Sequence, residues 1–334
     1  MGKGEKTIII FHSDVSPDAS PDELDVLDEA NFISKGITEM GYKSIVLPFK
    51  LDLNKLVQQL KEIKPDGIFN LVESIETDGR LIHVAPSLFD HFNIPYYGCS
   101  TDTIILTSNK LFSKKVLESN GIPTPKHICL SNIKHVEIGK HEKFIFKSVW
   151  EHASIGMDEN CIRTITDKNE TYKYFKNFKD SGRQSFAESF IEGREFNVSV
   201  LGSWTEPEVL PVAEIKFIDY PEGKPKIVDY KAKWIEDSFE YEHTVRSFDF
   251  NKADTKIYNK MKELSLRCWE VFELNGYARV DFRVDKNGNP FVLEINANPC
   301  ISPDGGFIAA TKQAGYKFTE VLEKIMSETN NKKI

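Results

Sequence analysis

The chain has 334 residues, 40% of them hydrophobic and 28% charged, with a formal net charge of −8 at pH 7. That length supports a large core and two or three domains, and the acidic balance excludes a protein that wraps nucleic acid, whose affinity rests on excess Lys and Arg. No apolar run of about 18 residues exists, which excludes a membrane-spanning helix.

Cys99, Cys129, Cys161, Cys268 and Cys300 are scattered without ligand spacing and fit reduced thiols in a cytoplasm. Thr7 to Phe11 reads as a buried strand, too short and too soon interrupted for a signal peptide. Ser20, Pro21 and Glu23 then open a helix as N-cap, first helical residue and capping-box partner. Leu24, Leu27, Ile33, Ile37 and Met40 recur roughly at helical spacing until Gly41 stops it. A strand (Ser44–Pro48), a helix (Leu53–Ile63), a strand (Gly67–Val72), a helix (about Ile82–Phe92) and a short strand (Ile94–Tyr97) follow. Strands alternating with helices predict an α/β fold (α+β overall) that begins with a parallel, doubly wound sheet. Such sheets bind ligands beyond the carboxyl ends of their strands. The loop Glu73 to Gly79 lies at such an end and holds three acids, which suit recognition of an ammonium or hydroxyl group, or else a plain solvated loop.

A helix over 108–120 ends at Gly121, and Pro123 and Pro125 mark a linker. Strands are predicted at Lys143–Lys147 and Gln184–Ile191, with a loop of small and polar residues, Trp150 to Gly156, between them. The β-rich remainder carries two helices, about Ala253–Leu274 and Tyr316–Thr329, and the last residues, Asn330–Ile334, read as frayed.

Arg279 to Asn296 is the most informative stretch. It reads as two strands joined by Asn287 and Gly288, the dipeptide preferred in two-residue type I′ turns. That turn sets Asp281 opposite Glu294 and Arg279 opposite Asn296, all on one face, while Val280, Phe282, Leu293 and Ile295 face the core. Directly opposed carboxylates repel by roughly 0.2–1 kcal/mol. A bound cation relieves that cost, and oxygen ligands from Asp, Glu and Asn suit Mg²⁺ together with substrate phosphates. The competing reading is a solvated polar face on an amphipathic hairpin.

Taken in order, several segments resemble the ATP-grasp superfamily, and within it the D-alanine–D-alanine ligases and related carboxylate–amine ligases. They are Thr77 to Gly79, Thr107 to Lys110, Phe144 to Lys147, Ala153 to Gly156, Glu188 to Glu195, Asp229 to Trp234, Arg279 to Asp281 and Glu294 to Pro299. The resemblance implies an N-terminal substrate domain (1–107), a central lobe (108–191) and a C-terminal lobe (192–334), with ATP clasped between the two β-rich lobes. It implies that Lys110, Lys147 and Ser154 contact phosphates, that Glu188 and the backbone of Ile191 hold adenine, and that Glu195 binds ribose. It further implies that Asp281, Glu294 and Asn296 hold one or two Mg²⁺ ions, for which Mn²⁺ substitutes. Arg279 and Lys233 take the catalytic roles. A substrate carboxylate attacks the γ-phosphate to give an acyl phosphate, and an amine then displaces phosphate to form an amide. Such chemistry depends on positioning and charge neutralisation more than on a protein nucleophile.

The chain departs from the ligase pattern at His152, Ala153 and Ser154, where a Gly-Ser-Ser loop is expected, at Trp234 in place of a tyrosine, and at Asp304 and Gly305, where a serine is expected. Trp234 is either a hydrophobic lid or a substrate contact. Glu23 and Glu73 are both candidates for holding the donor's amino group. An added carboxylate at Asp304 disfavours an acceptor carboxylate. The reading is therefore a cytoplasmic carboxylate–amine ligase acting on small molecules other than two D-alanines, as a homodimer. Its alternatives are an authentic D-alanine–D-alanine ligase and an inactive nucleotide-binding protein.

Overall fold

A computed structural model describes residues 6–139, 141–150, 153–327 and 329–330. His152, and with it part of the predicted loop, lies outside the described residues, as do 331–334 of the predicted frayed end.

The chain opens with β1 (Thr7–Ser13), α1 (Pro21–Glu39), β2 (Lys43–Phe49), α2 (Leu53–Ile63), β3 (Gly67–Leu71), α3 (Val84–His91) and β4 (Tyr96–Tyr97). The four strands form a parallel sheet in the order β2-β1-β3-β4. β1 buries both faces, with Ile8 and Ile10 toward α1 and Ile9 and Phe11 toward α2 and α3. Continuous apolar runs are what a parallel sheet covered on both sides requires. Glu23 reaches back to the Ser20 amide at 2.9 Å, completing the expected capping box, and Gly41 ends α1 in a left-handed conformation. The buried stripe of α1 is Val26, Ala30, Ile33 and Ile37, whereas Leu24 is exposed.

The helix expected over 108–120 is α5 (Lys110–Ser119), and a further helix, α4 (Thr101–Ser108), runs directly into it. Asn109 breaks them apart, because its side chain caps the second by accepting from the amides of Leu111 and Phe112, both at 3.0 Å. Next come β5 (His127–Cys129), β6 (Lys143–Ser148), β7 (Ile162–Thr164), α6 (Lys168–Asp180) and β8 (Ser185–Ser189). These strands make an antiparallel sheet in the order β5-β8-β6-β7.

The remaining chain runs β9 (Gly193–Gly202), β10 (Pro207–Val209), β11 (Ala213–Phe217), α7 (Tyr230–Trp234), α8 (Phe239–His243), β12 (Thr244–Ser247), α9 (Thr255–Val271), β13 (Gly276–Asp285), β14 (Pro290–Ala297), α10 (Gly306–Gln313) and α11 (Phe318–Met326). Its antiparallel sheet has the order β12-β11-β9-β13-β14, with β10 beside β9. Alternate residues of β9, β13 and β14 pack on α9 in one cluster that includes Val198, Val280, Val292 and Leu264. α11 returns to the first sheet, and Leu322 and Val321 share a core with Ile33 and Ile37 of α1. Gly36 permits that approach, since a Cβ there would stand 2.5 Å from the Leu322 side chain.

Candidate active site

The hairpin of β13 and β14 carries the first half of the site, and its faces are set by two irregularities. The turn is not the expected two-residue type. Gly288 donates its amide to the Asp285 carbonyl and Asp285 donates its own to the Asn289 carbonyl, both at 3.0 Å, which leaves Lys286, Asn287 and Gly288 as a three-residue loop. Gly288 has φ +81°, the left-handed residue that such loops use. Asp285 organises the loop by accepting from the amides of Asn287 and Asn289. Three pairs further along the ladder, a bulge between Asp281 and Phe282 corrects the register. Phe282 pairs with Val292, Leu293 is the extra residue, and Asp281 pairs with Glu294 and Arg279 with Asn296 as expected. Val292 takes the core position expected of Leu293, which instead lines the cavity.

That cavity has a volume of about 660 Å³ and is lined by residues from all three sheets, within the ordinary range for a small-molecule site. Lys110, Lys147, Ser154, Glu188, Ile191, Glu195, Lys233, Trp234, Arg279, Asp281, Glu294 and Asn296 all border it, as do Glu73, Asp304 and Gly305. Glu23 does not. Its carboxylate is taken by the Ser20 amide and hydroxyl, both at 2.9 Å, so the capping role excludes it as a substrate ligand.

At the hairpin end, opposite charges interleave. Asp281 accepts from Arg279 Nε at 2.7 Å and Nη2 at 2.9 Å, from Asn197 at 2.7 Å and from Asn296 at 3.0 Å. Glu294 lies 3.8 Å from Lys110. Burial works against the Arg279 charge, but Asp281 and Glu294 outweigh it and raise its pKa. Lys233 has the opposite balance: burial and Arg279 lower its pKa despite Glu294 and Asp281. Burial likewise lowers that of Lys110, against the pull of Glu294. Two carboxylates and an amide oxygen on neighbouring cross-strand positions are a donor set that fits a hard divalent cation keeping some water and phosphate oxygens.

Glu188 lies at the centre of a buried charge cluster. Both oxygens are engaged, by Lys114 at 2.5 Å and Lys147 at 2.7 Å, and all three groups are buried. Burial alone would raise the Glu188 pKa, but the two lysines lower it. Lys114 in turn donates to Thr124, which donates to the Val292 carbonyl. The two ion pairs form a charge clamp that positions Lys147. Near it, Ile145, Ile191, Ile215, Ile227 and Leu293 line an apolar slot. Burial raises the pKa of Glu195 at the edge of the slot; Arg283 opposes the rise and Asp281 adds to it.

The loop before β7 is held by its backbone. Ala153 and Ser154 adopt φ +57° and +61°, unusual for non-glycine residues. The Ser154 hydroxyl donates to the Val228 carbonyl at 2.9 Å, and the Trp234 indole N–H donates to the Ala153 carbonyl at 3.0 Å. Of the two readings of Trp234, this contact supports the lid: the indole latches the loop through a backbone acceptor, which needs no hydroxyl at 153.

The far end of the cavity is acidic. Asp22, Asp25 and Glu29 of α1 line it together with Glu73. Cys300 Sγ and the Ser302 hydroxyl each donate to Asp25 at 3.0 Å, the Ile301 amide donates to Glu29 at 2.7 Å, and the Tyr230 hydroxyl donates to Asp22 at 2.6 Å. Enclosure by the cavity walls first, then Asp25 and Asp22, push the Glu73 carboxyl up to about 7, with Lys233 opposing, although the residue stays open to solvent. Burial and Glu73 raise that of Glu29 well above the carboxylate range. The other two acids of the predicted loop take no part. Asp78 is tied to Arg80 at 2.5 Å, and Glu76 does not line the cavity. Asp304 is not an uncompensated charge, because Arg246 donates to its carbonyl at 3.2 Å and its carboxylate supports the Arg246 cation. The α1 acids were overlooked because the apolar stripe claimed the helix, yet Asp22, Asp25 and Glu29 stand at i, i+3 and i+7, a helical face in their own right. Lys114, Arg246 and Arg283 had no sequence signal.

Residues 117–327 match the family model described as D-ala D-ala ligase C-terminus. The chain is 28% identical over 299 residues to a D-alanine–D-alanine ligase of Aquifex aeolicus, covering 88% of this chain and 92% of that one. It is 26% identical over 287 residues to D-alanine–D-alanine ligase B of Clostridium perfringens, covering 85% and 88%. Among solved structures, D-alanyl-alanine synthetase A from Vibrio cholerae superposes with a TM-score of 0.73 at 17% identity, over 97% of this chain and 99% of that one. D-alanine–D-alanine ligase from Bacillus anthracis complexed with ATP gives 0.68 at 18%, over 96% of each. The ATP-grasp architecture expected from the sequence is the one these structures share.

Proposed function

This chain belongs to the D-alanine–D-alanine ligase family, and on that premise we propose that it is an ATP- and Mg²⁺-dependent carboxylate–amine ligase working through an acyl phosphate. The observation that carries this reading is the opposition of Asp281 and Glu294 in one cavity with Arg279, Lys233, Lys110 and Lys147. Asp281, Glu294 and Asn296 would hold one or two Mg²⁺ ions, with Mn²⁺ able to replace them; the metal would neutralise phosphate charge and align the phosphoryl group. Lys110 and Lys147 meet the phosphates as point charges, with Lys147 kept in place by Glu188. Ser154 and the Trp234 latch close the loop over them, and the apolar slot beside Ile191 receives the base. Arg279 and Lys233 stabilise the oxyanion that develops at the carboxyl group under attack, a preorganised electrostatic role. The units 1–107, 108–191 and 192–334 are the proposed division of labour, and a homodimer is the proposed assembly, checked by light scattering.

The acid-lined end supports a donor or acceptor with more positive charge than alanine, because a bound cation would relieve the crowding of four carboxyl groups that raises the pKa of Glu29 and Glu73. An authentic D-alanine–D-alanine ligase is the second reading, favoured by the named activity of the relatives. Phosphate release from Mg·ATP, screened against pooled L- and D-amino acids and dipeptides, separates the two. Release that depends on a basic amino acid or peptide, with the amide seen by mass spectrometry, upholds the first. Release with D-alanine alone at rates on the order of 1 s⁻¹ or more upholds the second. ATP binding without release in any pool would point to a binding protein.

A further inference from the structure

Arg283 stands on β13 two residues after Asp281, on the same face, and is only 4% exposed. Its guanidinium borders the cavity and uses four of its five N–H groups. Nε donates to the Ile191 carbonyl at 2.9 Å, in the link between β8 and β9, and Nη2 to the carbonyl of Gly193 at the start of β9 at 3.2 Å. Nη1 donates to the Lys226 carbonyl at 2.7 Å and to Glu195 Oε2 at 3.0 Å. The group also lies over the Phe190 ring, 5.0 Å from its centroid.

One side chain therefore ties three separate segments at the nucleotide end of the cavity. The ion pair takes a single oxygen of Glu195. The other, Oε1, receives no hydrogen bond from the described residues, although Glu195 lines the cavity. A carboxylate on a free side chain rotates among rotamers, and a hydroxyl that binds it must bear the cost of ordering it. One held by a rigid fork that is itself fixed by three carbonyls is already ordered. The Lys226 contact also fixes the start of the segment that supplies Val228 to Ser154 and then Lys233.

We propose that Arg283 is a positioning residue for nucleotide selection: it holds Glu195 with one oxygen engaged and the other presented to the vicinal hydroxyls of a ribonucleoside triphosphate, so that the site discriminates against a sugar lacking them. This rests on the reading that ATP occupies this end of the cavity. It requires no direct contact between Arg283 and the nucleotide, and it sets the hinge and the ribose carboxylate as one unit.

The test is calorimetric binding of Mg·ATP and Mg·2′,3′-dideoxy-ATP to the full chain. Hydrogen bonds to a charged group predict that the unaltered protein prefers ATP by roughly 10–100-fold. Arg283→Met should bring the two affinities within about 2-fold of each other, chiefly by weakening ATP, since a charged hydrogen bond of that size is lost. Arg283→Lys keeps the charge without the fork and should retain an intermediate preference. A purely structural role would weaken both nucleotides equally in Arg283→Met, and that result overturns the proposal. So does equal affinity in the unaltered protein, which leaves the ligase reading intact, whereas failure to bind either nucleotide overturns both. If Arg283→Met shows no cooperative melt, the unaltered protein and Arg283→Lys still decide: a lysine variant with the full preference refutes a role for the fork.

Discussion

At the hairpin end of the cavity each carboxylate faces a cation, whereas at the α1 end Asp22, Asp25, Glu29 and Glu73 face one another and a few neutral donors. Asp281 is held by Arg279 and two asparagines, and Glu188 by two lysines. At the α1 end the cation that opposes the rise of Glu73 is Lys233. The first arrangement is complete before any ligand arrives and suits a reactant common to the family. The second crowds four carboxyl groups, which favours protonation of Glu29 and Glu73, and a positively charged ligand would relieve that crowding instead. The contrast separates chemistry from substrate choice within one cavity.

The largest break in that contrast comes from Asp281→Asn. Removing the charge that orients Arg279 should lower kcat by roughly 10²–10³-fold, read as substrate-stimulated phosphate release, and activity within threefold of the unaltered protein would refute the assigned role. Lys114→Met tests whether the paired end is also the stable end. It leaves Glu188 with one buried partner and should cost about 3–5 kcal/mol in urea unfolding; a loss below about 1 kcal/mol would mean that Lys147 alone suffices.

The acid end should show its excess charge as a pH dependence. The folded-state pKa of Glu73, about 7, lies above its ordinary value of 4.5. The folded protein therefore binds more protons than the unfolded chain between those limits, and the stability associated with Glu73 is full below pH 4.5 and lost as pH rises through 7. Glu73→Gln should remove that decline, so that the variant melts higher than the parent at pH 8 and the two converge near pH 4.5. A parallel decline in both proteins would remove Glu73 as the cause. The smallest expected effect is that of Trp234→Phe, which deletes the indole donor to Ala153 and should cost about 0.5–1.5 kcal/mol. The same change should raise KM for ATP while leaving kcat near the parent value, and a selective fall in kcat would contradict a latch.

Much of the paired end was legible in the sequence, because its residues sit on two adjacent strands whose alternation fixes which side chains share a face. Even so, the hairpin was read correctly for an incorrect reason: the loop has three residues, and the extra Leu293 cancels the difference. Glu188 shows the limit of pattern. Its place in the chain was evident, but Lys114, which fixes its charge, sits 74 positions earlier on another element and meets it only through folding. The acid end was nearly illegible, since Asp22, Asp25 and Glu29 are interleaved with the apolar stripe of α1, and Glu73 joins them from the loop after β3. Glu23 stood beside Glu73 as a candidate there because a helix-opening glutamate looks the same in sequence whether it caps or binds.

The offset between the hairpin loop and the bulge at Leu293 has a consequence for how this segment tolerates insertions and deletions. Dropping one residue from the Lys286–Gly288 loop, or removing Leu293 alone, would shift β14 by one position and turn Glu294 and Asn296 toward the interior. Loop and bulge therefore form a length-compensated pair: a deletion at one is acceptable only with an insertion at the other. Among related sequences, two gaps of opposite sign within the eight residues from Lys286 to Leu293 would conserve the site, and a single unpaired gap would mark a chain in which it is lost.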